Sequence, residues 1–271
     1  MTQTKPLSSD TNAQAAYLCL QGVSKVYATH DGSVRALEQV SVGARRGEFL
    51  SVLGPSGCGK STLLMIAAGL LRPSSGAVSI DGASVTRPRT DIGIVFQSPV
   101  LLEWRTALGN VMLQAEAKKL ERTAAKRRAR DLLGAVGLGG FEDKYPHELS
   151  GGMRQRVSLC RALIHDPSQL LMDEPFGALD ALTREQMNLD LQRMWLRDRN
   201  TVLFITHSIE EAVLLSDRVM VMSSRPGRIA DVVENDLPRP RGAHTRSEPR
   251  FLEHVERIRR HFLALGVLSE T

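Results

Sequence analysis

Cysteines are scarce in this 271-residue sequence, and their spacing excludes the structures that cysteines usually build. Cys19, Cys58 and Cys160 are widely separated and odd in number, so they predict neither a disulfide framework nor a zinc site. Reduced thiols are the interpretation that we favour, because structural disulfides form mainly outside the cytosol.

Long apolar runs are also absent. No segment approaches the roughly 20 uninterrupted apolar residues that a membrane-spanning helix needs. The opening sequence MTQTKPLSSDTNAQAAY has no basic segment followed by an apolar one, so it does not resemble a secretory signal, and residues 1–15 are expected to form a disordered tail. The protein is therefore expected in the cytosol, and a membrane role would have to come through a partner.

The charge is only mildly basic, with a formal net value of +5. The densest basic run lies at 118–130 and reads KKLERTAAKRRAR. A nucleic-acid surface is one interpretation of this run. A solvated helix face is favoured instead, because Glu121 and Asp131 interrupt or flank the run and no aromatic residues interleave with it. We therefore expect no nucleic-acid partner.

Apolar, strand-like runs recur along the chain, with helix-like stretches between several of them. This alternation predicts an α/β fold with a largely parallel sheet. A hydrophobic content of 42% is enough for an ordinary globular core. The strand-like runs are 49–53, 92–96, 170–172, 202–205 and 219–222.

Two regions depart from that alternation. No strand pattern occurs between about 98 and 162, so this region is predicted to be a helical subdomain inserted in the α/β core. From Leu237 the chain is rich in Pro, Arg and Gly, which is typical of a linker, and the amphipathic run 251–265 then predicts a C-terminal helix. The expected organisation is a tail at 1–15, a main domain at 16–236, and a linker with a C-terminal helix at 237–271.

One glycine-rich segment matches the phosphate-binding loop pattern GxxxxGK[ST]. It follows the apolar run FLSVL and precedes the helix-forming run LLMIAAGLL. Glycines let backbone N–H groups point at phosphate oxygens, and the following helix N-terminus adds positive charge. Lys60 is expected to reach the β- and γ-phosphates, and Ser61 to ligate Mg²⁺. The candidate nucleotide-binding residues are Gly54, Pro55, Ser56, Gly57, Cys58, Gly59, Lys60, Ser61 and Thr62.

The chemistry of Cys58, inside this loop, has two interpretations. The helix N-terminus and Lys60 would both favour its thiolate form and make it reactive. The alternative is a buried, inert cysteine, because interior thiols are common. The loop pattern itself accepts any residue at this position, so it does not require a thiol.

An acidic pair, Asp173 and Glu174, ends the apolar run at 170–172. Parallel sheets bind ligands at the carboxyl ends of their strands, where this pair is expected to lie. Asp173 is expected to hold Mg²⁺ through water, and Glu174 to act as the general base on the attacking water. Alone, such a pair could equally be a capped turn, but beside a phosphate-binding loop it predicts nucleotide hydrolysis.

The segment LSGGMRQR at 149–156 resembles the LSGGQ signature motif of ABC ATPases. Met153 stands where many members have Gln, at a position whose neighbours vary within the family. Ser150, Gly151 and Gly152 lie at a predicted helix start, which can hold a γ-phosphate. In the resembled family this motif faces the phosphate-binding loop of a second copy. The resemblance therefore implies a homodimer with two nucleotides between its subunits.

Four further positions, within a resemblance that spans about 18–229, match family motifs. Gln97 resembles the glutamine that senses Mg²⁺ and the attacking water, and His207 resembles the switch histidine at the γ-phosphate. Asp180 resembles the loop residue that touches the other subunit. Tyr27 resembles the aromatic residue that stacks on adenine, and a half-buried strand-end tyrosine is the alternative.

The resemblance also implies a fold and a chemistry. The fold is a P-loop NTPase core with a mainly parallel sheet, an antiparallel β subdomain and an inserted helical subdomain, so that 16–236 is an ABC ATPase domain. ATP and Mg²⁺ are the implied cofactors. Glu174, His207 and Gln97 are the implied catalytic residues, and Ser61, Gln97 and Asp173 the implied metal ligands.

Segments 98–111 and 222–229, with the tail PRPRGAHTRSEPRF, resemble importer ATPases for nitrate, sulfonate, taurine and related small anions. This implies a peripheral subunit on the cytoplasmic face of the inner membrane. Its partners would be an integral membrane permease and, indirectly, an extracytoplasmic substrate-binding protein, which choose the substrate. An exporter ATPase shares every catalytic motif and is the main alternative. A soluble, non-transport ABC ATPase is less favoured.

In an importer of this group, closure of the ATPase dimer would pull on the permease. The contact is expected near 97–105, where a short permease helix would dock against Leu101, Leu102 and Trp104. The alternative for this apolar cluster is ordinary subdomain core.

Overall fold

The computed structural model describes residues 16–30 and 32–267, which form two β-sheets and the helices around them. The tail expected at 1–15 lies outside the described residues, and so does 268–271. The strands are β1 (Leu18–Thr29), β2 (Gly32–Ala44), β3 (Phe49–Leu53), β4 (Ser75–Ile80), β5 (Ala83–Ser84), β6 (Ile92–Val95), β7 (Gln169–Asp173), β8 (Thr201–Thr206), β9 (Arg218–Met222) and β10 (Ile229–Glu234). The α-helices are α1 (Lys60–Ala67), α2 (Ala107–Ala117), α3 (Arg122–Ala135), α4 (Gly151–Leu163), α5 (Ala181–Asp198), α6 (Ile209–Leu215) and α7 (Pro249–Ala264).

The larger sheet has the strand order β10-β9-β3-β8-β7-β6. Its strands β9, β3, β8, β7 and β6 run parallel, and β10 is an antiparallel edge strand. Every residue of β3 and β8 is buried, which explains why FLSVL and TVLFIT show no alternation of apolar and polar residues. The mainly parallel sheet predicted from the apolar runs is confirmed.

The smaller sheet, with the order β2-β1-β4-β5, is antiparallel throughout. Leu18 and Leu20 of β1 share a core cluster with Leu50 and Val52 of β3, and α1 contributes its apolar face to the same cluster. The antiparallel sheet therefore packs onto the helix that follows the phosphate-binding loop. This arrangement confirms the antiparallel subdomain implied by the family resemblance.

Helices α2, α3 and α4 are the insertion between β6 and β7, where the described chain has no strand. Their apolar faces share a core cluster with Phe49 and Phe204 of the parallel sheet. Asn110 on α2 is fully buried, and its side-chain amide donates to the carbonyls of Leu102 (3.1 Å) and Arg105 (2.9 Å). The turn before α2 is therefore fixed to the helix that it precedes.

The segment after β10 is packed against the core, although its composition is typical of a linker. Arg241 is 2% exposed, and its guanidinium donates to the carbonyls of Leu237 and Ser216. Helix α7 then packs its apolar face against α6, through Phe251, Val255, Ile258 and Phe262. Within the described ranges, no helix has both the length and the apolar character of a transmembrane span.

Candidate functional site

The phosphate-binding loop connects the carboxyl end of β3 to α1. Lys60 is the first residue of α1, and its side chain is only 6% exposed. Its Nζ donates to the carbonyls of Gly54 (2.8 Å) and Pro55 (3.1 Å). The first two residues of the loop therefore hold the Lys60 ammonium group in place.

Two glycines give the loop its curvature. Gly57 has φ = 75° and Gly59 has φ = 99°, which residues with a Cβ rarely adopt. A Cβ on Gly59 would also lie 2.8 Å from the carbonyl oxygen of Ala36 and 2.8 Å from a methyl of Leu37. Because both sterics and backbone conformation exclude a side chain there, the loop requires glycine at 59.

The acidic pair stands where β7 ends. Burial raises the pKa of Asp173, and a hydrogen bond with the Ser61 side chain opposes this shift. Glu174 has a left-handed φ of 43°, and its N–H donates to the carbonyl of Ile205 on β8 (2.9 Å). This turn of the backbone brings the Glu174 carboxylate to 3.7 Å from Lys60 Nζ.

His207 follows β8 and approaches the same carboxylate from the other side. Its Nδ1 lies 3.4 Å from Glu174 Oε2, whereas Lys60 lies nearest to Oε1. The His207 side chain is 54% exposed and that of Glu174 is 21% exposed. A carboxylate held between an ammonium and an imidazole, and reachable by water, suits the removal of a proton from water.

Lys60, Asp173 and Glu174 line a cavity of about 420 Å³, which we call the nucleotide cavity, whereas His207 is not among its lining residues. Its volume lies in the range of small-molecule sites. Tyr27 reaches it from β1, with Oη 3.2 Å from Thr62 Oγ1. The predicted residues that line it are Tyr27, Ser56, Gly57, Gly59, Lys60, Ser61, Thr62, Gln97, Asp173 and Glu174. Val34, Ala36 and Arg225 line it too, and the sequence patterns assigned no role to them.

The nucleotide cavity also contains the oxygen donors that suit Mg²⁺. Ser61 and Asp173 both line it, and the Ser61 side chain is near enough to the Asp173 carboxyl to oppose the rise in its pKa, so the two are placed to hold one small ion. Gln97, which follows β6 and is exposed, also lines this cavity and carries a side-chain amide oxygen. Hydroxyl, carboxylate and amide oxygens are hard ligands, and Mg²⁺ prefers them over nitrogen or sulfur.

The signature residues Ser150, Gly151 and Gly152 are not among those that line the nucleotide cavity. Ser150 caps α4, and its Oγ accepts from the N–H of Met153 (3.2 Å). The motif thus stands at a helix start, as its sequence predicts. Ser150 and Gly151 are exposed there, so their open side is available to a ligand or a partner.

Asp180 also lies outside the nucleotide cavity. It is the exposed N-cap of α5, and accepting from the N–H of Thr183 (3.0 Å) lowers the pKa of its carboxyl. The loop before it is held by Arg184, which donates to the carbonyls of Phe176 (3.2 Å) and Leu179 (2.8 Å). No sequence pattern singled out Arg184, because its contacts depend on how this loop folds back.

The reactive thiolate expected as one interpretation of Cys58 is wrong. The side chain is 1% exposed, and burial raises the pKa of the thiol, with Lys60 opposing the shift only in part. A Cβ on Gly54 would lie 2.8 Å from the Cys58 Sγ, so the thiol packs directly onto the loop. The buried, inert cysteine is the interpretation that the structure supports.

A second cavity, of about 830 Å³, opens between the end of β6 and helices α2 and α4. Leu102 lines it, Leu101 packs against the core of the helical insertion, and Trp104 is 74% exposed. The three apolar residues of the expected docking cluster therefore have different environments. Apolar and basic side chains share the wall of this groove, among them Ile94, Phe96, Arg89 and Lys118.

Comparison with known proteins identifies the family. The family model described as ABC transporter matches residues 37–177. Over 244 residues, 88% of this chain and 94% of the relative, the sequence is 50% identical to the taurine import ATP-binding protein TauB of Burkholderia pseudomallei. Over 247 residues, 91% of this chain and 96% of the relative, it is 44% identical to the aliphatic sulfonates import ATP-binding protein SsuB of Bacillus cereus.

A solved structure shares the fold. The dimeric post-hydrolysis state of the ATP-binding cassette MJ0796, bound to ADP and Pi, superposes with a TM-score of 0.72 at 33% identity, covering 80% of this chain and 98% of that one. The fold and the loop thus define a P-loop ATPase. The chain belongs to the ABC transporter family, as an ATP-binding subunit with ATPase activity.

Proposed function

We propose that this chain is the ATP-hydrolysing subunit of an ABC importer for taurine or a related small sulfonate or anion. The observation that carries the proposal is the convergence of Lys60 and His207 on the Glu174 carboxylate, at 3.7 Å and 3.4 Å. Phosphate binding, activation of water and polarisation of the γ-phosphate each need a group of this kind. The names of the two relatives, taurine and aliphatic sulfonate import proteins, support the substrate class.

In this mechanism Lys60 and the loop N–H groups bind the β- and γ-phosphates, and Tyr27 stacks on the adenine. Mg²⁺, held by Ser61, Gln97 and Asp173, would neutralise phosphate charge when bound. Glu174 accepts the proton of the attacking water. His207 orients the Glu174 carboxylate from 3.4 Å and contacts the γ-phosphate from its exposed side.

Two copies of the chain form the complete enzyme. Each nucleotide bound by one copy is covered by Ser150, Gly151 and Gly152 of the other, and Asp180 contacts the facing subunit. The exposure of Ser150 and Gly151 at a helix N-terminus supports this arrangement, because that end favours an anion. The relative with the solved structure is described as dimeric.

An integral membrane permease is the second partner, and an extracytoplasmic substrate-binding protein acts through it. The groove between β6, α2 and α4 is the docking surface for a short permease helix, and Leu102 lines it. Trp104 is not among the lining residues, but it is 74% exposed and offers the same helix a separate apolar contact. In this proposal the chain is a peripheral subunit on the cytoplasmic face of the cell membrane.

Reconstitution tests this function. The chain would be co-purified with its partner permease, placed in proteoliposomes, and supplied with the binding protein loaded with taurine, an alkanesulfonate or nitrate. We expect ATP hydrolysis to rise with taurine or the alkanesulfonate, and Glu174→Gln to abolish it. Hydrolysis by wild type no greater than by Glu174→Gln would contradict the ATPase assignment. Stimulation only by an unrelated substrate would contradict the substrate class.

A further inference from the structure

The loop at 223–228, which joins β9 to β10, is folded onto the phosphate-binding loop. Gly227 is the contact point, because a Cβ there would lie 2.0 Å from the carbonyl oxygen of Cys58. Its N–H donates to the carbonyl of Ala36 (2.9 Å), and its own carbonyl accepts from the N–H of Glu38 (3.0 Å). The loop is therefore clamped between the phosphate-binding loop and β2.

This clamp brings Arg225 to the nucleotide cavity. The Arg225 Nε and Nη2 both donate to the carbonyl of Gly57, at 3.1 Å each. The guanidinium is thus fixed against the outer turn of the phosphate-binding loop, and these two hydrogen bonds do not use its Nη1 amino group. An arginine held in this way can donate to a phosphate oxygen without first being ordered.

Arg225 also differs from its basic neighbours in its charge environment. Arg228, on the same loop, pairs with Glu38 at 2.5 Å, and Arg35 pairs with the same carboxylate at 2.6 Å. Within 16–30 and 32–267, no carboxylate lies within 4.0 Å of the Arg225 guanidinium. An uncompensated cation beside a phosphate-binding loop favours a polyanionic ligand.

From these contacts we infer that Arg225 is a nucleotide-binding residue of this chain, which supplies a second cation to the phosphate chain of the bound adenine nucleotide. Lys60 is nearly buried and bonded to the loop carbonyls, whereas Arg225 approaches from the exposed rim. The two cations therefore act on different sides of the nucleotide. This inference rests on the proposed function, because it assumes that the cavity binds ATP.

The test is equilibrium binding of a fluorescent ATP analogue to the purified full chain, with ATP, ADP and adenosine as competitors. Arg225→Gln removes the charge, and Arg225→Lys keeps the charge without the guanidinium fork. Arg35→Gln is the matched control, because Arg35 lies between the cavity residues Val34 and Ala36 and is itself not a lining residue. Thermal unfolding without nucleotide checks that each variant is folded.

We expect Arg225→Gln to weaken ATP and ADP binding by roughly tenfold, as for the loss of one charge-assisted contact. Arg225→Lys should lose less, and Arg35→Gln should stay within about twofold of wild type. Adenosine should bind wild type and Arg225→Gln equally, because it carries no phosphate. The dependence of ATP affinity on salt should become shallower in Arg225→Gln, which a purely structural role would not cause.

ATP affinity of Arg225→Gln within twofold of wild type would overturn the inference, and so would an equal loss of adenosine binding. A wild-type chain that binds ATP, with binding lost in Lys60→Ala and unchanged in Arg225→Gln, would contradict this inference alone. A wild-type chain that binds no nucleotide would contradict the proposed function as well.

Discussion

The phosphate-binding loop and the signature segment are both built at helix N-termini, yet their surroundings differ. Lys60 is buried, Asp173 and Glu174 are half-buried, and Lys60 Nζ lies near both the loop carbonyls and the Glu174 carboxylate. Ser150 and Gly151 are exposed, and the Ser150 hydroxyl caps its own helix turn. The first region is a formed binding site. The second is an exposed helix start whose residues do not line the nucleotide cavity. In the proposed dimer these two regions are the complementary halves of one site.

The glycines show the same difference. Gly59 has a positive φ and no space for a Cβ, so it serves the shape of its own loop. Gly151 has ordinary backbone geometry, and a Cβ added to it would meet no atom of the described residues within 4 Å. A requirement for glycine at 151 would therefore have to come from a partner or a ligand.

The largest effect should come from the formed site. Glu174→Gln keeps the shape of the side chain but cannot accept a proton, so we expect hydrolysis to fall by about 10²–10⁴-fold, as for other general bases. ATP affinity should change little. Single-turnover hydrolysis and equilibrium ATP binding measure the two quantities separately. Turnover of Glu174→Gln close to that of wild type would contradict the assignment of Glu174 as the general base.

Lys60→Ala should act on binding itself. It removes the ammonium that the loop carbonyls hold, and we expect ATP affinity to fall roughly 10- to 100-fold, in line with the loss of hydrogen bonds to a charged group. Titration with a fluorescent ATP analogue measures the change. Lys144→Ala, which removes an exposed lysine paired with Glu148, is the matched control and should bind normally. Unchanged affinity in Lys60→Ala would count against the loop as the nucleotide site.

The signature segment should matter only between subunits. In the Glu174→Gln background, ATP should produce a stable dimer, and Ser150→Arg should prevent it by placing a bulky side chain on the exposed helix start. Light scattering with and without MgATP measures the assembly. Ser150→Thr keeps both the hydroxyl and the helix cap, so it should still allow the dimer. Dimerisation that persists in Ser150→Arg would contradict the proposal that the signature segment of one copy faces the phosphate-binding loop of the other.

The smallest effect separates two adjacent glycines of that segment. A Cβ on Gly152 would lie 2.7 Å from Thr183 Cγ2, so Gly152→Ala should cost about 1–3 kcal/mol of unfolding free energy through overpacking. Gly151→Ala should change it by no more than about 0.5 kcal/mol. Urea unfolding of the monomer without nucleotide measures both. Equal stabilities would show that Thr183 moves aside without cost.

Much of this site could be predicted from local patterns. The loop motif between an apolar run and a helix-forming run predicts Lys60 and Ser61 beside a phosphate. The acids after the apolar run at 170–172 predict that they share a sheet edge with this loop. The structure brings these residues together because parallel strands place their carboxyl ends side by side. Roles that came from the resemblance, such as those of Tyr27 and Asp180, stay predictions.

The sequence by itself determined the α/β class, the strands of the parallel sheet, the helical insertion and the members of the phosphate-binding loop, because each has a signal within a few consecutive residues. Only the tertiary structure decided that Cys58 is buried, that Arg241 anchors the segment after β10, and that Arg225 reaches Gly57 across 168 positions of sequence. Burial and hydrogen bonding between distant segments depend on how the sheets and helices pack, and no local pattern of residues encodes them.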